Sequence, residues 1–431
     1  MADAHASEPE RTLYDDAARV LPGASFGNVE GDLIVREGRG GRVWDIEGKE
    51  YIDYLLGSGP MLVGHAHPDV NAAIAAQLAH GTTFFANNAQ GIRLAEEIVD
   101  AVACADKVRF VSTGSEATLY AMRVARAFRG RDKVLKFEGG YHGMSDYSLM
   151  SLAPQRPGNF PVATPDSSGI PHAIRDEMLI APYNDANAAI DLIRQYRDDL
   201  AAVIVEPQQR IIPPKPGFLQ ALRDETRANE IPLIFDEVVT GFRHAYGGGQ
   251  AYYGVTPDLC ALGKVIGGGF PLAAIAGRAD IMAHFDAAAV GPDKFVKMIG
   301  TLSGNPVAAT AGLATLEILR RPDTYERLFA TGRALMEGIG RLLDEAGLAA
   351  QVVGEPPMFD VVFTDQEVSD YRSCLAGNQD MLKRFTAILK ENGVLKGDSK
   401  FYVSTAHDDS DVAHTLDACG RAIEALAALR Q

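Results

Sequence analysis

Two short apolar runs, each followed by a charged side chain, constrain the fold of this chain more than any other feature. Residues 231–235 run into Asp236, and residues 259–262 are followed by a glycine and then Lys264. Apolar runs of this length without alternation are typical of strands buried on both faces. Open α/β sheets bind ligands at the carboxyl ends of their strands. The sequence therefore predicts an acid and a lysine near a ligand site.

The position of Lys264 between Leu262 and Val265 predicts a partly desolvated amine. Desolvation lowers the pKa of an ammonium group and makes the amine available as a nucleophile toward a carbonyl. A carboxylate such as Asp236 on a neighbouring strand end can keep a pyridinium nitrogen protonated. These two groups are what a protein contributes to pyridoxal phosphate chemistry. Taken singly, a lysine is more often solvated, and an acid after a strand is more often a cap or half of an ion pair.

The order of predicted elements indicates an α/β fold. Apolar runs alternate with helical patterns over much of the chain, which favours a mostly parallel sheet with helices on both faces. The predicted strands of this sheet cover residues 108–111, 133–137, 200–205, 232–235, 259–262 and 272–276. From about residue 322 the pattern changes to long helices and short strands. We expect an α+β C-terminal domain that packs with the N-terminal segment.

Composition excludes several classes of function. The net charge of −16 argues against nucleic acids and anionic membranes as partners. The four cysteines are scattered and form no metal-binding or disulfide pattern, so we expect no metal and a reducing compartment, the cytoplasm. The first residues lack the apolar core of a signal peptide, and no apolar run is long enough to span a membrane.

Two longer motifs carry a family resemblance. The segments FDEVVTGFR (residues 235–243) and TPDLCALGKVIGGGFPLAAIAGR (residues 256–278) resemble the core of the class III aminotransferases of pyridoxal-phosphate fold type I. They are most similar to the branch that holds glutamate-1-semialdehyde 2,1-aminomutase. The resemblance implies a large domain over residues 66–320 with a mostly parallel, seven-stranded sheet between helices. Residues 1–65 and 321–431 would together form a small α+β domain.

The turn at residues 112–117, Ser-Thr-Gly-Ser-Glu-Ala, lies between a predicted strand and a predicted helix. Its free backbone N–H groups and the positive helix end suit an anion. A capping box, in which a Ser or Thr is followed three residues later by Glu, explains the same letters equally well. The resemblance favours the first interpretation and assigns the cofactor phosphate to Thr113, Gly114 and Ser115.

The resemblance assigns the remaining contacts to pyridoxal 5'-phosphate. It implies that Lys264 forms the Schiff base and carries protons, that Asp236 pairs with the ring nitrogen, and that Gln209 contacts the ring hydroxyl. It also implies a homodimer, in which Thr301 reaches the phosphate bound by the other subunit. The residues expected around the ring are Tyr141, stacked on one face, Val238 on the opposite face, His142 and Glu206.

Three functions compete on these motifs. The first is an aminotransferase that passes an amino group from an amino acid or amine to an oxo acid by a ping-pong mechanism. The second is the aminomutase reaction, and the third, disfavoured by an intact Lys264 and Asp236, is a non-catalytic relative. Transamination is preferred because a tryptophan usual in the aminomutase is missing at residues 58–60, and the loop at Gln209 is of aminotransferase type. The segment 393–402 does not supply the acid that the aminomutase carries near the mouth of the pocket.

The donor and acceptor molecules cannot be identified from the motifs. Arg210, Arg243 and Lys400 are candidates for binding a substrate carboxylate, although the sequence favours a surface ion pair for Arg210 and solvated surface positions for Arg243 and Lys400.

Overall fold

The computed structural model describes residues 8–28 and 33–429. The helices of this part of the chain are α1 (Glu8–Val20), α2 (Pro68–Leu78), α3 (Ala89–Ala101), α4 (Gly114–Arg129), α5 (His172–Arg175), α6 (Ala186–Gln195), α7 (Phe218–Ala228), α8 (Gly248–Tyr253), α9 (Ala279–Met282), α10 (Ala287–Val290), α11 (Pro306–Leu319), α12 (Thr324–Glu345), α13 (Tyr371–Leu375), α14 (Gln379–Glu391) and α15 (Asp409–Ala428). The strands are β1 (Val35–Arg39), β2 (Arg42–Asp45), β3 (Glu50–Asp53), β4 (Lys107–Val111), β5 (Lys133–Phe137), β6 (Met178–Ala181), β7 (Leu200–Val205), β8 (Leu233–Glu237), β9 (Leu259–Leu262), β10 (Ala273–Gly277), β11 (Gln351–Glu355), β12 (Met358–Val362), β13 (Val394–Leu395) and β14 (Phe401–Tyr402).

The central sheet has seven strands in the order β4-β10-β9-β8-β7-β5-β6. Only β10 runs against its two neighbours, and the other pairs are parallel. This confirms the predicted α/β fold with a mostly parallel sheet. The edge strand β6 was not predicted, because a run of only four apolar residues is too short to indicate a strand by itself.

Both faces of the sheet are covered, which explains why its strands do not alternate between polar and apolar residues. Every residue of β7, β8 and β9 is buried. Successive side chains of these strands enter two separate cores. Val203, Phe235 and Leu262 belong to one core, and Ile204, Ile234 and Ala261 belong to the other.

The two ends of the chain meet in a second sheet. Strand β13 from the C-terminal part pairs in parallel with β3 from the N-terminal part, with Val394 opposite Ile52. This sheet has the order β1-β2-β3-β13, and β11, β12 and β14 form a third sheet nearby. The arrangement supports the expected packing of the N-terminal segment with the C-terminal domain. The boundaries at residues 65 and 320 remain a prediction.

Candidate active site

Lys264 lies directly beyond β9, in a single 3-10 turn that covers residues 264–267. Its backbone has a φ of 47°, in the left-handed region that non-glycine residues seldom adopt. Its Nζ donates a hydrogen bond of 2.8 Å to the carbonyl oxygen of Ser58. Burial lowers the pKa of this amine, and the neighbouring cations Lys400 and Arg243 lower it further. The amine is therefore closer to its nucleophilic, neutral form than an ordinary lysine is.

Asp236 lies near the end of β8, and its register with Ala261 brings it beside the end of β9. One carboxylate oxygen, Oδ2, lies 2.8 Å from Nδ1 of His142, and the other accepts a hydrogen bond from the backbone of Val238. The side chains of Asp236 and His142 are both buried. Each carboxylate oxygen therefore has one partner, His142 Nδ1 for Oδ2 and the Val238 backbone for Oδ1. These two contacts hold the carboxylate in one orientation.

The turn at the start of α4 forms the capping box and also presents a helix N-terminus that suits an anion. The hydroxyl of Thr113 accepts a hydrogen bond from the backbone of Glu116, and the Glu116 carboxylate accepts one from the backbone of Thr113. The capping box therefore exists and occupies the Thr113 side chain. Ser115 Oγ accepts a hydrogen bond from the backbone of Met144, so this hydroxyl is also engaged. What the turn offers an anion is the positive end of a 16-residue helix.

Gly114 ties this turn to the end of β8. A Cβ atom at Gly114 would lie 2.9 Å from Val238, so only a glycine fits between the two segments. Gly263, just before Lys264, also lies against Val238. The N-terminus of α4, Val238 and the turn that carries Lys264 therefore lie next to one another and border the candidate site.

Tyr141 borders the same space on another side. Its backbone donates a hydrogen bond of 2.9 Å to the Glu206 carboxylate, and its ring is 37% exposed. The Arg210 guanidinium lies 5.3 Å from the centre of this ring. Partial burial raises the pKa of Tyr141, so its phenol stays neutral. The ring is therefore a flat, uncharged surface on which another ring can stack.

Three buried polar atoms at this site have no hydrogen-bond partner among residues 8–28 and 33–429. They are Gln209 Oε1, His142 Nε2 and Arg243 Nη1. The amide nitrogen of Gln209 donates to the carbonyl oxygen of Glu138, which fixes the direction of the free oxygen. Buried polar atoms are rarely left unpaired in folded proteins. The free acceptor indicates that a polar ligand completes this site.

The residues present fit pyridoxal phosphate. A helix N-terminus suits its phosphate, Asp236 suits its pyridine nitrogen, Gln209 Oε1 can accept from its ring hydroxyl, and Lys264 can attack its carbonyl carbon. Thr301 lies apart from this group. It is exposed in the turn before α11, and no hydrogen bond within the described part of the chain links it to the other predicted residues. Its expected contact requires a second subunit and remains a prediction.

The expectation that Arg243 and Lys400 are solvated surface residues is wrong. The Arg243 side chain is fully buried and donates to the carbonyl oxygens of Val239 and Gly59. Burial lowers its pKa to about 10. The Lys400 side chain is 6% exposed, and burial together with the charge of Arg210 lowers its pKa to about 7.

Tyr402 ends the segment 396–402, which the sequence suggests as a source of substrate contacts, but the sequence gives this residue no role of its own. Its ring is in contact with two cations, with Arg243 at 5.0 Å and Lys400 at 5.6 Å from the ring centre. It belongs to the two-residue strand β14, which has no periodic pattern that sequence reasoning could use. Its backbone donates a hydrogen bond of 2.8 Å to the carbonyl oxygen of Tyr54, far away in the sequence.

Other kinds of site are not found in the described residues. Within residues 8–28 and 33–429, no three His, Cys, Asp or Glu side chains are grouped so as to hold a metal ion. Of the helices in those residues, none combines the length and the apolar character needed to cross a membrane.

The sequence was compared with known proteins. A sequence model of the family described as aminotransferase class-III matches residues 26–410. A curated relative, glutamate-1-semialdehyde 2,1-aminomutase of Thermodesulfovibrio yellowstonii, is 40% identical over 95% of this chain and 97% of its own length. The family model and this relative confirm the predicted family, and with it the prediction that the protein is an enzyme.

The fold was compared with solved structures. An omega-transaminase from Sphaerobacter thermophilus is 36% identical, has a TM-score of 0.92 and covers 96% of this chain and 97% of its own. A glutamate-1-semialdehyde-aminomutase of Pseudomonas aeruginosa PAO1, solved in complex with PMP, is 25% identical with a TM-score of 0.86, covering 96% of this chain and 94% of its own. These neighbours, together with the family, identify the cofactor as pyridoxal phosphate.

Proposed function

Because this chain belongs to the class III aminotransferase family, we propose that it is a transaminase that acts through pyridoxal phosphate bound to Lys264. It takes an amino group from an amino acid or amine and passes it to an oxo acid, one substrate leaving before the next binds. The observation that supports this most is the pairing of a desolvated lysine amine with a histidine-held carboxylate at adjacent strand ends.

Each residue of the site has a separate role in the proposed reaction. When bound, the cofactor supplies an electron sink for the carbon that loses its proton. Asp236, held by His142, stabilises a protonated ring nitrogen and so strengthens that sink. Lys264 takes a proton from the substrate carbon and returns it at a neighbouring position, as a general base with a lowered pKa can do. Tyr141 would stack on the cofactor ring and hold its orientation, and Gln209 Oε1 would accept a hydrogen bond from the ring hydroxyl.

The second candidate is the glutamate-1-semialdehyde 2,1-aminomutase reaction, which forms 5-aminolevulinate without an external acceptor. The name of the curated relative favours this reaction, and the sequence comparison supports it better than it supports transamination. The same pair, Lys264 and Asp236, would serve both reactions, so the pair itself does not discriminate between them.

Features of the pocket favour transamination. The segment 393–402 presents Lys400 and Tyr402 to Lys264, where the aminomutase pattern leads us to expect an acid. The tryptophan usual in the aminomutase is missing before Pro60. Among the solved structures compared, the omega-transaminase is 36% identical, whereas the aminomutase is 25% identical.

The quaternary and cellular setting is also proposed. The enzyme would act as a homodimer, with Thr301 of each subunit near the phosphate of the other, on small-molecule donors and acceptors. The large domain would cover residues 66–320 and the small domain residues 1–65 and 321–431. All four cysteines are free thiols, which supports the reducing environment of the cytoplasm.

A paired assay separates the two reactions. The holoenzyme is given a panel of amino donors with pyruvate or 2-oxoglutarate, and in parallel glutamate-1-semialdehyde with no acceptor. We expect new amino acid to form only when donor and acceptor are both present. Accumulation of 5-aminolevulinate in the second reaction would reject transamination in favour of the aminomutase.

A further inference from the structure

Arg372 of α13 forms a bidentate ion pair with Glu138, the residue that directly follows β5. Its Nε lies 2.6 Å from Glu138 Oε2, and its Nη2 lies 3.1 Å from Oε1. The Glu138 side chain is only 4% exposed. In the described part of the chain, every hydrogen bond to this carboxylate comes from Arg372. The charge of a buried acid in the large sheet therefore depends on one arginine from the C-terminal part of the chain.

Other contacts of α13 fix the direction of this arginine. Arg372 Nη2 also donates a hydrogen bond of 2.6 Å to the carbonyl oxygen of Gly158, and the guanidinium lies 4.3 Å from the centre of the Phe160 ring. The hydroxyl of Tyr371 donates to the carbonyl oxygen of Pro154 at 3.2 Å. Because the guanidinium is planar and bound on several sides, it holds the Glu138 carboxylate in one geometry.

The backbone of Glu138 in turn orients Gln209. The amide nitrogen of Gln209 donates a hydrogen bond of 2.8 Å to the Glu138 carbonyl oxygen, and its Oε1 is buried without a partner in the described residues. A Cβ atom at Gly140 would lie 3.5 Å from this Oε1 and 3.1 Å from His142 Nε2. The unpartnered atoms of Gln209 and His142 therefore lie beside one glycine, two residues after Glu138.

Helix α13 also contacts the turn that leads to Tyr141. Gly139 has a φ of 84°, and a Cβ atom there would lie 2.6 Å from Cβ of Tyr371. No side chain fits between the turn and the helix at this point. A displacement of α13 is therefore passed directly to the backbone on which Gln209 depends.

We propose that Arg372 is a positioning residue for the cofactor site and acts through Glu138 on Gln209. The C-terminal part of the chain thereby sets the direction of the oxygen that accepts from the ring hydroxyl. This inference rests on the proposed function, because it uses the cofactor contact proposed for Gln209.

The visible absorbance of the holoenzyme across a pH series tests the proposal. An acceptor stabilises the protonated ring hydroxyl, so a weakened contact lowers the pH midpoint of the absorbance change. We expect Arg372→Met and Gln209→Met each to lower this midpoint by about 0.5 pH unit or more, the effect of one lost hydrogen bond. The double variant should show no shift beyond that of Gln209→Met, because both changes act on one contact.

Arg372→Lys keeps the charge but loses the bidentate geometry. It should give a smaller shift in the same direction, and it carries the test if Arg372→Met does not fold. The matched control is Arg194→Met, which removes another bidentate pair, to Glu225 at 2.9 Å and 2.8 Å, on the surface between α6 and α7. This control should keep the wild-type pH midpoint.

A lower urea midpoint in Arg372→Met with an unchanged pH midpoint would show that α13 only stabilises the fold, and would overturn the proposal. A further shift in the double variant, or no shift in Gln209→Met, also overturns it. Failure of the proposed function looks different, because the absorbance test needs bound cofactor but no substrate. The pH midpoints would then still shift as expected, while amino transfer would be lacking with every donor.

Discussion

At the residue scale, a buried histidine fixes the carboxylate on which the site depends. His142 is almost fully buried and lies 2.8 Å from Asp236 through Nδ1. The carboxylate has one other protein partner, the backbone of Val238, which bonds its second oxygen. Removing the histidine contact would leave a buried acid free to rotate away from a ring nitrogen.

We therefore expect His142→Asn to lower kcat about 10-fold or more, since hydrogen bonds to charged groups contribute about 1.5–3 kcal/mol. The visible absorbance of the bound cofactor would also respond to pH differently, because its ring nitrogen is held less strongly. Kinetics and absorbance across a pH series measure both effects. His80→Asn, an exposed change, serves as the control. Unchanged kcat and an unchanged absorbance profile in His142→Asn would remove the role given to this histidine.

The strand-end residues Lys264 and Asp236 were accessible to sequence reasoning because each follows a run of apolar letters within a few residues. The burial of Arg243, Lys400 and Tyr402 was not, because it depends on contacts between segments far apart in the chain. The Arg243 guanidinium donates to the carbonyl oxygen of Gly59, and the Lys400 amine lies over the ring of Tyr402. The cofactor contacts assigned by resemblance remain predictions until a bound structure or mutant data exist.

At the element scale, helix α11 supports the turn that carries Lys264. Gly312 of this helix packs so closely that a Cβ atom would lie 2.1 Å from the carbonyl oxygen of Ile266, within the 3-10 turn. A second contact involves Gly268, where a Cβ atom would lie 2.5 Å from the carbonyl oxygen of Ala311. Helix α11 and the lysine turn are therefore packed in direct contact, with no room for a side chain at either glycine. This contact has no sequence signature beyond the two glycines.

The element-scale prediction concerns Gly312→Ala. The added methyl group forces α11 away from the lysine turn, and such overpacking costs about 1–3 kcal/mol. We expect a lower urea midpoint and weaker cofactor binding. Gly340→Ala on α12 is the matched control, because no atom lies within 4 Å of the added carbon. That variant should be neutral or stabilised by up to about 1 kcal/mol. Equal stability of the two variants would contradict the close packing of α11 on the turn.

At the scale of the whole molecule, the site joins the two ends of the chain to the central sheet. Arg372 of α13 makes two bonds, of 2.6 Å and 3.1 Å, to the carboxylate of Glu138, which follows β5. Gly139 packs against Tyr371 of the same helix. The chain has a net charge of −16, yet three cations from separate segments, Lys400, Arg243 and Arg210, act on the charge of Lys264. The local field at this amine is therefore opposite in sign to the net charge of the chain.

The pH dependence of stability follows from buried lysines. Lys136 of β5 is fully buried, donates to the carbonyl oxygens of Ser148 and Met150, and has a pKa lowered by burial to about 7. In the unfolded chain this lysine titrates near 10.5. Between these values the unfolded state binds more protons than the folded state, so the free energy of unfolding rises with pH. Lys400 acts in the same direction.

Each such lysine contributes up to about 1.4 kcal/mol per pH unit within this window. We expect the urea midpoint to increase from pH 7 to pH 9 and the increase to be smaller in Lys136→Met. Lys383→Met, on the surface, should keep the wild-type slope. Parallel curves for the wild type and Lys136→Met would mean that Lys136 stays charged at neutral pH in the folded protein.

The central claim is that one amine, Lys264, holds the cofactor and moves the proton. The most direct measurement is the visible spectrum and turnover of Lys264→Ala purified with pyridoxal phosphate. We expect the absorbance of the lysine-bound cofactor to disappear and turnover to be lost, while the fold remains intact by circular dichroism. A variant that keeps both the absorbance and the turnover would contradict the account.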